Sequence, residues 1–228
     1  MYKNVTIVIP SYKSDKLVYS HLKKISKKIK IIIIENSKDR FLKNKIESKY
    51  RNAKVYLRNN IGYGNAINHG SKYVKTRYFF VMNPDTKIYN NTIKNLLLAA
   101  KDLGKFGALS PNQIRNKKNN LDKKKIIERR QLNGGAMLFH TKIFKQIKGF
   151  DEKIFLYYEE NDYFHKCNNL KLKLYLIKNS FFYHSQKGDS SSAIFKNSKE
   201  KFYSYLMGGW HGQWSKFYYL KKYHGFTY

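Results

Sequence analysis

Short apolar runs alternate with segments of helical periodicity along this chain, and that alternation restricts the fold more than any other feature. Residues 31–34 are four consecutive isoleucines, too few for a helix and apolar on both sides, as a central strand of a parallel sheet requires. Residues 5–10 and 78–82 are comparable runs, whereas residues 15–28 carry apolar side chains at helical spacing. Strand and helix therefore alternate through the first half of the chain, which predicts an open α/β sheet.

Polar residues follow each of these apolar runs. Ser11 follows the first run, and Glu35 follows the second. Arg58 follows a short run at 55–57, and Asp85 follows the run at 78–82 after Asn and Pro. Right-handed crossovers bring the carboxyl ends of parallel strands to one edge, and ligands of open α/β sheets bind outside that edge. The sequence therefore predicts a ligand site built from these strand ends.

The charge of the chain is extreme for its length. Its 228 residues include 46 Lys or Arg and 15 Asp or Glu, which gives a net charge of +31. Such an excess predicts attraction to polyanions: nucleic acid, an anionic membrane face or phosphorylated substrates. An AT-rich coding sequence would give the same excess of Lys, Asn and Ile without any selected partner, so both interpretations stay open. The length and the hydrophobic content of 42% indicate one globular domain, or two at most.

The sequence gives no indication of export or of a membrane span. Cys167 is the one cysteine, so no internal disulfide can form. The apolar run near the N-terminus is too short for a secretory signal, and no run approaches the ~18 apolar residues of a transmembrane helix. We therefore expect a cytoplasmic protein.

Two motifs near the predicted edge suit a phosphorylated ligand. Asp85, in the string NPDT, presents a carboxylate directly after an apolar run, and one Asp plus phosphate oxygens can hold Mg²⁺ or Mn²⁺. Alone, NPDT is more typical of a turn with Pro84 at its first central position, but its place after a buried strand favours the metal. Gly62 and Gly64, in NNIGYGNAINHG, allow close backbone approach, and the helix that follows presents its N-terminus to an anion or a polar ring.

Three acids lie within four residues of a chain that is poor in acids: Glu159, Glu160 and Asp162. Stabilisation by the helix dipole, worth up to about 1 kcal/mol each, would be a sufficient structural reason for them. The alternative is catalytic: one carboxylate removes the proton of an acceptor hydroxyl, with a pKa raised toward neutrality by the aromatic residues at 155–158. Clustered acids repel one another, and a purely structural role does not explain why the chain would bear that electrostatic cost. We therefore favour the catalytic interpretation.

His184 ends the apolar run at 181–183 and precedes the Gly/Ser-rich string SQKGDSSS. A lone His is more often a satisfied surface or core residue than a ligand. The string after it could close over a diphosphate, with Lys187 adding positive charge. His184 is therefore a candidate ligand at the predicted edge.

The tail of the chain, residues 196–223, interleaves Tyr, Trp and Phe with Lys and His at near-helical spacing. This pattern suits a membrane interface, with aromatic rings at the headgroups and Lys toward anionic lipids. A core-packed helix with a solvated Lys face explains it about as well. Base stacking with nucleic acid ranks lowest, because no known nucleic-acid-binding motif accompanies it.

Seven strings together resemble the rhamnosyltransferase-like branch of the family 2 glycosyltransferases, enzymes of bacterial surface polysaccharide synthesis. They are VTIVIPSYK, IIIIENSKD, NNIGYGNAINHG, FFVMNPDT, NGGAMLF, GFDEKIFLYYEENDYFHKC and FYHSQKGDSSS, within about residues 4–225. The resemblance implies a GT-A fold: a Rossmann-like, mixed, mostly parallel sheet with flanking helices, here with a C-terminal helical appendage. It also implies an inverting transfer from a nucleotide-diphosphate sugar, usually with a divalent metal such as Mg²⁺ or Mn²⁺.

The resemblance assigns roles residue by residue. Glu35 falls where an acid contacts the nucleotide base, Asp85 on the metal-binding aspartate of a DXD-like motif, and His184 near the diphosphate. Glu160 falls where relatives carry the catalytic aspartate, and Asp162 is the alternative base. The remaining predicted contacts are grouped by substrate: for the nucleotide sugar Pro10, Ser11, Tyr12, Arg58, Asn60, Gly62, Gly64, Asn83 and Lys187, and for the acceptor Gly134, Gly135 and Glu159.

The sequence departs from the family pattern at two of these positions. Asn83 replaces an acid of the metal motif, which predicts weaker metal binding. Glu160 replaces an aspartate at the base position, so its longer side chain must retract to keep the same reach.

We therefore predict an inverting glycosyltransferase that acts on a glycan or lipid-linked acceptor, in the cytoplasm or at the inner face of the cell membrane. Residues 1–190 would form the catalytic domain, with a nucleotide-binding half at 1–90 and an acceptor half at 91–190, and residues 191–228 the tail. Two other functions stay open. One is a polyanion- or nucleic-acid-binding protein, although no nucleic-acid partner is expected of a transferase. The other is a sugar nucleotidyltransferase, which also uses an α/β sheet and strand-end carboxylates.

Overall fold

The computed structural model describes residues 1–114, 125–184 and 197–225. Within these residues, nine strands form one mixed sheet with helices on both faces. The strands are β1 (Val5–Ser11), β2 (Lys30–Glu35), β3 (Ala53–Leu57), β4 (Tyr78–Met82), β5 (Thr86–Ile88), β6 (Ala108–Gln113), β7 (Ile126–Arg129), β8 (Ala136–His140) and β9 (Leu174–His184). The helices are α1 (Asp15–Leu22), α2 (Arg40–Lys49), α3 (Tyr63–Lys72), α4 (Thr92–Leu103), α5 (Thr141–Gln146), α6 (Glu159–Asn169) and α7 (Ser198–His224), and a 3₁₀ turn, Tyr2–Asn4, precedes β1.

The strand order across the sheet is β3-β2-β1-β4-β8-β6-β9-β5, and β7 pairs with β9. Strands β3, β2, β1 and β4 run parallel to one another, and β6 runs parallel to β9. The other pairs, β4 with β8, β8 with β6, β5 with β9 and β7 with β9, are antiparallel. Because β1 to β4 are parallel, their carboxyl ends meet at one edge, as the sequence predicts. In register, Ser11 lies opposite Glu35, and Glu35 opposite Leu57.

Both faces of the sheet are buried, because alternate residues of each strand point to opposite sides. Ile7 and Ile33 belong to a core that includes α1, α2 and α4. Val8 and Ile34 belong to a second core that includes α3, α5 and α6. This two-sided burial explains why the apolar runs of the sequence are continuous rather than alternating.

An aromatic cluster under α6 fixes the position of that helix. The rings of Phe139 and Tyr163 meet edge to face with centroids 5.3 Å apart, and those of Phe144 and Phe150 lie 5.5 Å apart. Such pairs contribute about 0.5–1.5 kcal/mol each beyond the apolar area that they bury. The Tyr163 hydroxyl donates a hydrogen bond to the Gly107 carbonyl at 3.0 Å, so the buried polar atom is satisfied. The aromatic cluster therefore holds the acidic start of α6 in a fixed position.

Several elements differ from the sequence-based expectations. Helix α1 ends at Leu22 rather than continuing to 28, because the chain must turn before β2 begins at Lys30. The polar, Lys- and Asn-rich composition of residues 112–125 predicts a loop, but residues 112 and 113 belong to β6, and 115–124 lie outside the described residues. The apolar residues at 173–177 and 181–183 predict two strands, whereas the structure has one strand, β9, whose pairing register with β6 shifts midway.

Helix α7 confirms the expected C-terminal helix, and it packs against residues 151–167. Its Ser215 donates a hydrogen bond to the Leu156 carbonyl at 2.8 Å, and its Tyr218 donates one to Asp151 at 3.0 Å. Among the described helices, none combines the length and the apolar character that crossing a membrane requires.

Candidate functional site

The predicted ligand edge is present at the carboxyl ends of β1, β2, β3 and β4. Pro10 and Ser11 end β1, and Tyr12 directly after them is 42% exposed. Arg58 follows β3, and its amide N–H donates to the Glu35 carbonyl at 2.9 Å. The predicted nucleotide-contacting residues of three separate strand ends are thus neighbours.

Glu35 lies inside this edge rather than on its surface. Its side chain is fully buried, and its carboxylate accepts hydrogen bonds from the Ser11 hydroxyl at 2.6 Å and from the Ser37 amide and hydroxyl at 2.9 and 2.5 Å. Charge-assisted bonds of this kind are the stronger ones. Glu35 therefore ties the loops after β1 and β2 together, and its contact with a nucleotide base stays a prediction.

The glycine-rich loop lies against the segment that precedes α6. Gly62 has a φ of +85°, and a Cβ there would overlap the Phe155 carbonyl, so glycine is required. The amide of Tyr63, the first residue of α3, donates to that carbonyl at 3.0 Å. Asn60 Oδ1 accepts from the Gly62 amide at 3.3 Å. A Cβ on Gly64 would lie 3.2 Å from that of Glu159, which brings the loop to the acidic helix start.

Asp85 and His184 lie together, as a shared metal site would require. Residue 86 in β5 pairs with residue 184 in β9, and His184 Nε2 lies 3.1 Å from Asp85 Oδ1. His21 holds the turn at residues 83–85 in place, because its Nε2–H donates a hydrogen bond to the Pro84 carbonyl at 2.6 Å. Burial lowers the pKa of His21, although the hydrogen bond to Pro84 opposes that shift, and the lowered pKa favours the neutral ring.

The donor set at this turn fits a divalent cation that takes most of its ligands from a substrate. Asp85 supplies an oxygen and His184 a nitrogen, while the buried Oδ1 of Asn83 has no hydrogen-bond partner in the described part of the chain. No cluster of three or more His, Cys, Asp or Glu suited to a metal occurs within the described residues. Mg²⁺ and Mn²⁺ need few protein ligands when phosphates supply the others.

Gly134 and Gly135 connect this turn to the acidic helix start. A Cβ on Gly134 would overlap Oε1 of Glu160, whereas a Cβ on Gly135 would lie 3.3 Å from the ring of His184. The Gly135 carbonyl accepts hydrogen bonds from the Asn83 amide at 3.1 Å and from the Thr86 hydroxyl at 2.9 Å. Two adjacent residues without side chains therefore lie between Glu160 and the pair formed by Asp85 and His184.

Glu159 and Glu160 are adjacent carboxylates whose pKa values are both raised by burial. Glu159 is 3% exposed and Glu160 is half-buried. Burial, followed by the charge of Glu160, raises the pKa of Glu159 well above its usual value. Burial also raises the pKa of Glu160. A carboxylate with a raised pKa is suited to accept a proton near neutral pH.

Asp162, the alternative base, contacts the C-terminal helix instead. It is fully buried, and its oxygens lie 2.5 Å from Lys222 Nζ, 3.1 Å from Lys166 Nζ and 2.8 Å from the Tyr223 hydroxyl. Lys222 and Tyr223 donate hydrogen bonds to Oδ1, whereas Lys166 forms only an ion pair with Oδ2. Asp162 therefore links α6 to α7, and Glu160 is the better candidate for the base.

Tyr63 is a site residue that the sequence reasoning missed. Its hydroxyl donates to the Gly134 carbonyl at 3.0 Å. Burial, then the negative charges of Glu160, Glu159 and Asp85, raise its pKa well above the usual value. Glu160, Glu159 and Asp85 are therefore all near enough to the Tyr63 hydroxyl to affect its ionisation. The available signal was the position of this tyrosine between Gly62 and Gly64.

One cleft in the described part of the chain lies apart from this site. A cleft of about 850 Å³ at the amino ends of the strands is lined by lysines and by Tyr56 and Tyr73, on the side opposite Asp85. Lys187, predicted to add charge at the diphosphate, lies outside the described residues. This cleft is therefore not the predicted substrate site.

Known proteins are similar to this chain in sequence family and in fold. The sequence model described as Glycosyl transferase family 2 matches residues 6–172, whereas no curated protein sequence matches the chain. The fold is similar to that of S. aureus TarS, at 17% identity and a TM-score of 0.62, over 84% of this chain and 38% of that one. It is also similar to GalNAc-T7, solved with UDP, GalNAc and Mn²⁺, at 14% identity and a TM-score of 0.66, over 79% and 43% of the two chains.

A third similar structure is residues 1–349 of S. aureus TarS in complex with UDP-GlcNAc. The identity is 19% and the TM-score 0.63, over 84% of this chain and 61% of that one. This chain thus spans less than two thirds of each of these proteins. At such identities the likeness concerns the fold, and it confirms the expected GT-A architecture.

Proposed function

Because the chain belongs to glycosyl transferase family 2, we propose that it transfers a sugar from a nucleotide-diphosphate sugar to a glycan or lipid-linked acceptor, with inversion. The observation that carries this proposal is the pair Gly134 and Gly135. One touches Glu160 and the other touches His184, which is bonded to Asp85. Two adjacent residues without side chains therefore lie between the candidate base and the candidate diphosphate-binding group, and in this proposal the sugar binds beside them.

Glu160 acts as the general base in this proposal. It accepts the proton of the acceptor hydroxyl as the oxygen bonds to the anomeric carbon and the bond to the diphosphate breaks. Attack from the side opposite the leaving group inverts the anomeric configuration. Burial raises the pKa of Glu160, so the proton transfer is better matched to neutral pH than it would be for an exposed carboxylate.

Asp85, His184 and Asn83 would hold a divalent metal at the diphosphate. When bound, such an ion neutralises the charge that develops on the leaving diphosphate. His21 and the Gly135 carbonyl hold the Asn83–Asp85 turn in place, so the carboxylate is oriented before the substrate arrives. Pre-orientation of this kind avoids reorganisation during the reaction.

The nucleotide would lie along the strand ends from Pro10 to Tyr12, next to Arg58 and the loop that contains Asn60, Gly62 and Gly64. The exposed ring of Tyr12 offers a face for the base, and Arg58 a charge for phosphate. In this proposal residues 1–90 bind the nucleotide and residues 91–190 the acceptor, with Glu159 and the two glycines at its binding surface.

Three finer proposals concern context. We place the chain in the rhamnosyltransferase-like branch of its family and in bacterial surface polysaccharide synthesis, because its seven motifs have that order and spacing. The basic, aromatic tail at 191–228 suits peripheral contact with the inner face of the cell membrane. The donor test below therefore includes deoxyhexose donors.

The proposal is tested with a panel of nucleotide-diphosphate sugars, deoxyhexose donors included, with Mg²⁺ or Mn²⁺. A true donor should raise the melting temperature, since a ligand at 100 times its Kd stabilises a protein by about 2.7 kcal/mol. With that donor, Glu160→Gln should lower kcat by about 10²–10⁴-fold while donor binding persists, because a general base contributes that much. Asp85→Ala should lose transfer and metal-dependent donor binding together.

Asp102→Asn is the matched control, because that carboxylate is exposed at the end of α4. It should leave both binding and turnover at the wild-type level. Near-normal turnover in both Glu160→Gln and Asp85→Ala would reject the assignment. Release of pyrophosphate from a nucleoside triphosphate would instead identify a nucleotidyltransferase.

A further inference from the structure

Helix α7 packs directly on the segment 155–158, which leads into the acidic start of α6. Ser215 is fully buried, and its hydroxyl donates to the Leu156 carbonyl at 2.8 Å. The His211 ring stacks on Phe155, with centroids 4.4 Å apart. These contacts join the backbone and a side chain of the segment to the middle of α7.

The two tyrosines of the segment also contact α7. The ring of Tyr157 lies over the backbone of Gly208 and Gly212, where added Cβ atoms would be 3.6 and 3.4 Å from it. The ring of Tyr158 lies 5.5 Å from that of Tyr219. Every residue from 155 to 158 therefore contacts one stripe of α7.

The segment needs this support because its backbone is strained. Tyr157 and Tyr158 have φ angles of +65° and +68°, in the left-handed region. For residues with a Cβ this conformation costs roughly 1–2 kcal/mol each. Such conformations persist only where surrounding contacts determine them, and they are frequent at functional sites. Glu159 and Glu160 follow immediately, so the strained pair sets the direction in which α6 starts.

The same segment reaches the glycine-rich loop on its other side. The Phe155 carbonyl accepts the Tyr63 amide at 3.0 Å and excludes any side chain at Gly62. Beyond Glu160, Asp162 is bound by Lys222 and Tyr223 of α7. Residues on both sides of Glu160 in the sequence, 155–158 before it and Asp162 after it, therefore contact α7.

We propose that α7 is a positioning element of the active site, which holds residues 155–158 so that Glu160 lies against Gly134. The inference rests on the proposed role of Glu160 as the base. It makes Ser215, His211 and Gly212 positioning residues, although they lie more than forty positions beyond the base in the sequence. The tail is then part of the catalytic unit rather than a separate appendage.

Two glycine substitutions on α7 form a matched test. Gly212→Leu places a branched side chain against the ring of Tyr157, whereas no described atom lies within 4 Å of a Cβ built on Gly209. Both changes give the same helix-propensity gain. Gly212→Leu should lower kcat about tenfold or more with little change in donor KM, since a small misplacement of a catalytic group has that effect. Gly209→Leu should match the wild type.

Two further readouts separate positioning from simple loss of folded protein. In Gly212→Leu the acid limb of the kcat–pH profile should move to lower pH, because a displaced Glu160 is better solvated. Partial unfolding would lower the rate without moving that limb. Amide hydrogen exchange at 155–160 should also speed up in Gly212→Leu and stay unchanged in Gly209→Leu.

Ser215→Ala provides the milder variant in case Gly212→Leu fails to fold, because it removes only the hydrogen bond to Leu156. It should accelerate exchange at 155–160 and lower kcat in the same direction. Wild-type exchange and wild-type kcat in a folded variant would overturn the inference. Faster exchange combined with a fully active Glu160→Gln would show that α7 holds residues 155–158, but it would reject the catalytic role of Glu160 and, with it, the role of α7 in positioning the base.

Discussion

At the scale of single residues, Glu159 carries a stability cost that depends on pH. Its Oε2 is buried without a hydrogen-bond partner in the described chain, and its pKa is raised well above the usual 4.5 by burial and then by Glu160. The folded state therefore holds the proton more tightly than the unfolded state does. As a result, the free energy of unfolding falls as pH rises from the unfolded pKa through the folded one.

Glu159→Gln should remove that cost at neutral and alkaline pH. We expect its free energy of unfolding to exceed the wild-type value by about 1–3 kcal/mol at about pH 8, and the difference to shrink toward zero at about pH 4. Urea unfolding at the two pH values measures both quantities. Glu152→Gln, at an exposed position seven residues earlier, should show neither effect. Equal stability of wild type and Glu159→Gln at the higher pH would contradict the proposed electrostatic cost.

Motifs identified some of these residues in advance, and tertiary contacts decided the others. Asp85 and Gly134 could be predicted, because each belongs to a string with a fixed place beside a strand. Tyr63 could not, since its role depends on Gly134, 71 residues away. Asp162 is similar: its position beside Glu160 suggested a base, but its partners lie 60 and 61 residues further on. Sequence spacing contains no information about those partners.

At the scale of elements, one buried carboxylate, Asp162, joins α6 to α7 by hydrogen bonds and ion pairs, beside the contacts of His165 with Tyr219 and Tyr223. Asp162 is fully buried and paired with Lys222 and Lys166. Partial burial alone would lower the pKa of Lys222, but its hydrogen bonds to Asp151 and Asp162 raise it above the usual value. Removing the Asp162 charge would leave Lys222 with Asp151 alone and Lys166 without its ion pair. Breaking a pair at a buried position costs far more than losing an exposed pair.

Asp162→Asn should therefore destabilise the protein by about 3–5 kcal/mol. The matched control is Glu128→Gln, because Glu128 also pairs with a lysine, Lys173, at 2.8 Å but with both side chains more than half exposed. That change should cost less than about 1 kcal/mol. Thermal and urea unfolding compare the two variants. Similar small losses in both would show that the buried pair contributes little to holding α7.

Elements were predictable where local pattern and burial agree. The apolar run at 78–82 predicts a strand with the bounds of β4. The helical spacing of apolar residues at 92–103 predicts a helix with the bounds of α4. Strand β6 was missed because it contains Ser110 and Pro111, residues that weaken a strand pattern. Strand β5, three residues long, exists only through its pairing with β9. Such elements are decided by the sheet rather than by their own residues.

At the scale of the whole molecule, the sequence could predict the charge but not its arrangement. The outer face of α7 is exposed, while the opposite stripe contacts residues 155–158. The exposed large apolar side chains of α7 are Phe202, Tyr203, Tyr205, Leu206, Trp210, Trp214 and Phe217. Aromatic residues next to lysines suit the interface of an anionic membrane. A separate basic cleft, lined by Lys30, Arg51 and Lys75 among others, would attract any polyanion.

These two features give different predictions for vesicle binding. If the outer face of α7 docks on lipid, the protein should bind anionic vesicles more tightly than neutral ones, and Trp210→Ala should weaken binding about tenfold, since burying one large apolar side chain contributes about 1.5–3 kcal/mol. Phe41→Ala is the matched control, because Phe41 is 75% exposed on α2, away from the tail. Vesicle co-sedimentation across a salt series measures both variants.

If instead the charge acts alone, salt should abolish binding while Trp210→Ala and Phe41→Ala behave like the wild type, because screening weakens exposed charges without affecting apolar burial. Single-stranded DNA should then compete fully with the vesicles for the basic surface. Residual, Trp210-dependent binding at high salt requires the aromatic face. In that case α7, the helix that positions Glu160, would also bind the membrane, and the active site would lie near any lipid-linked acceptor.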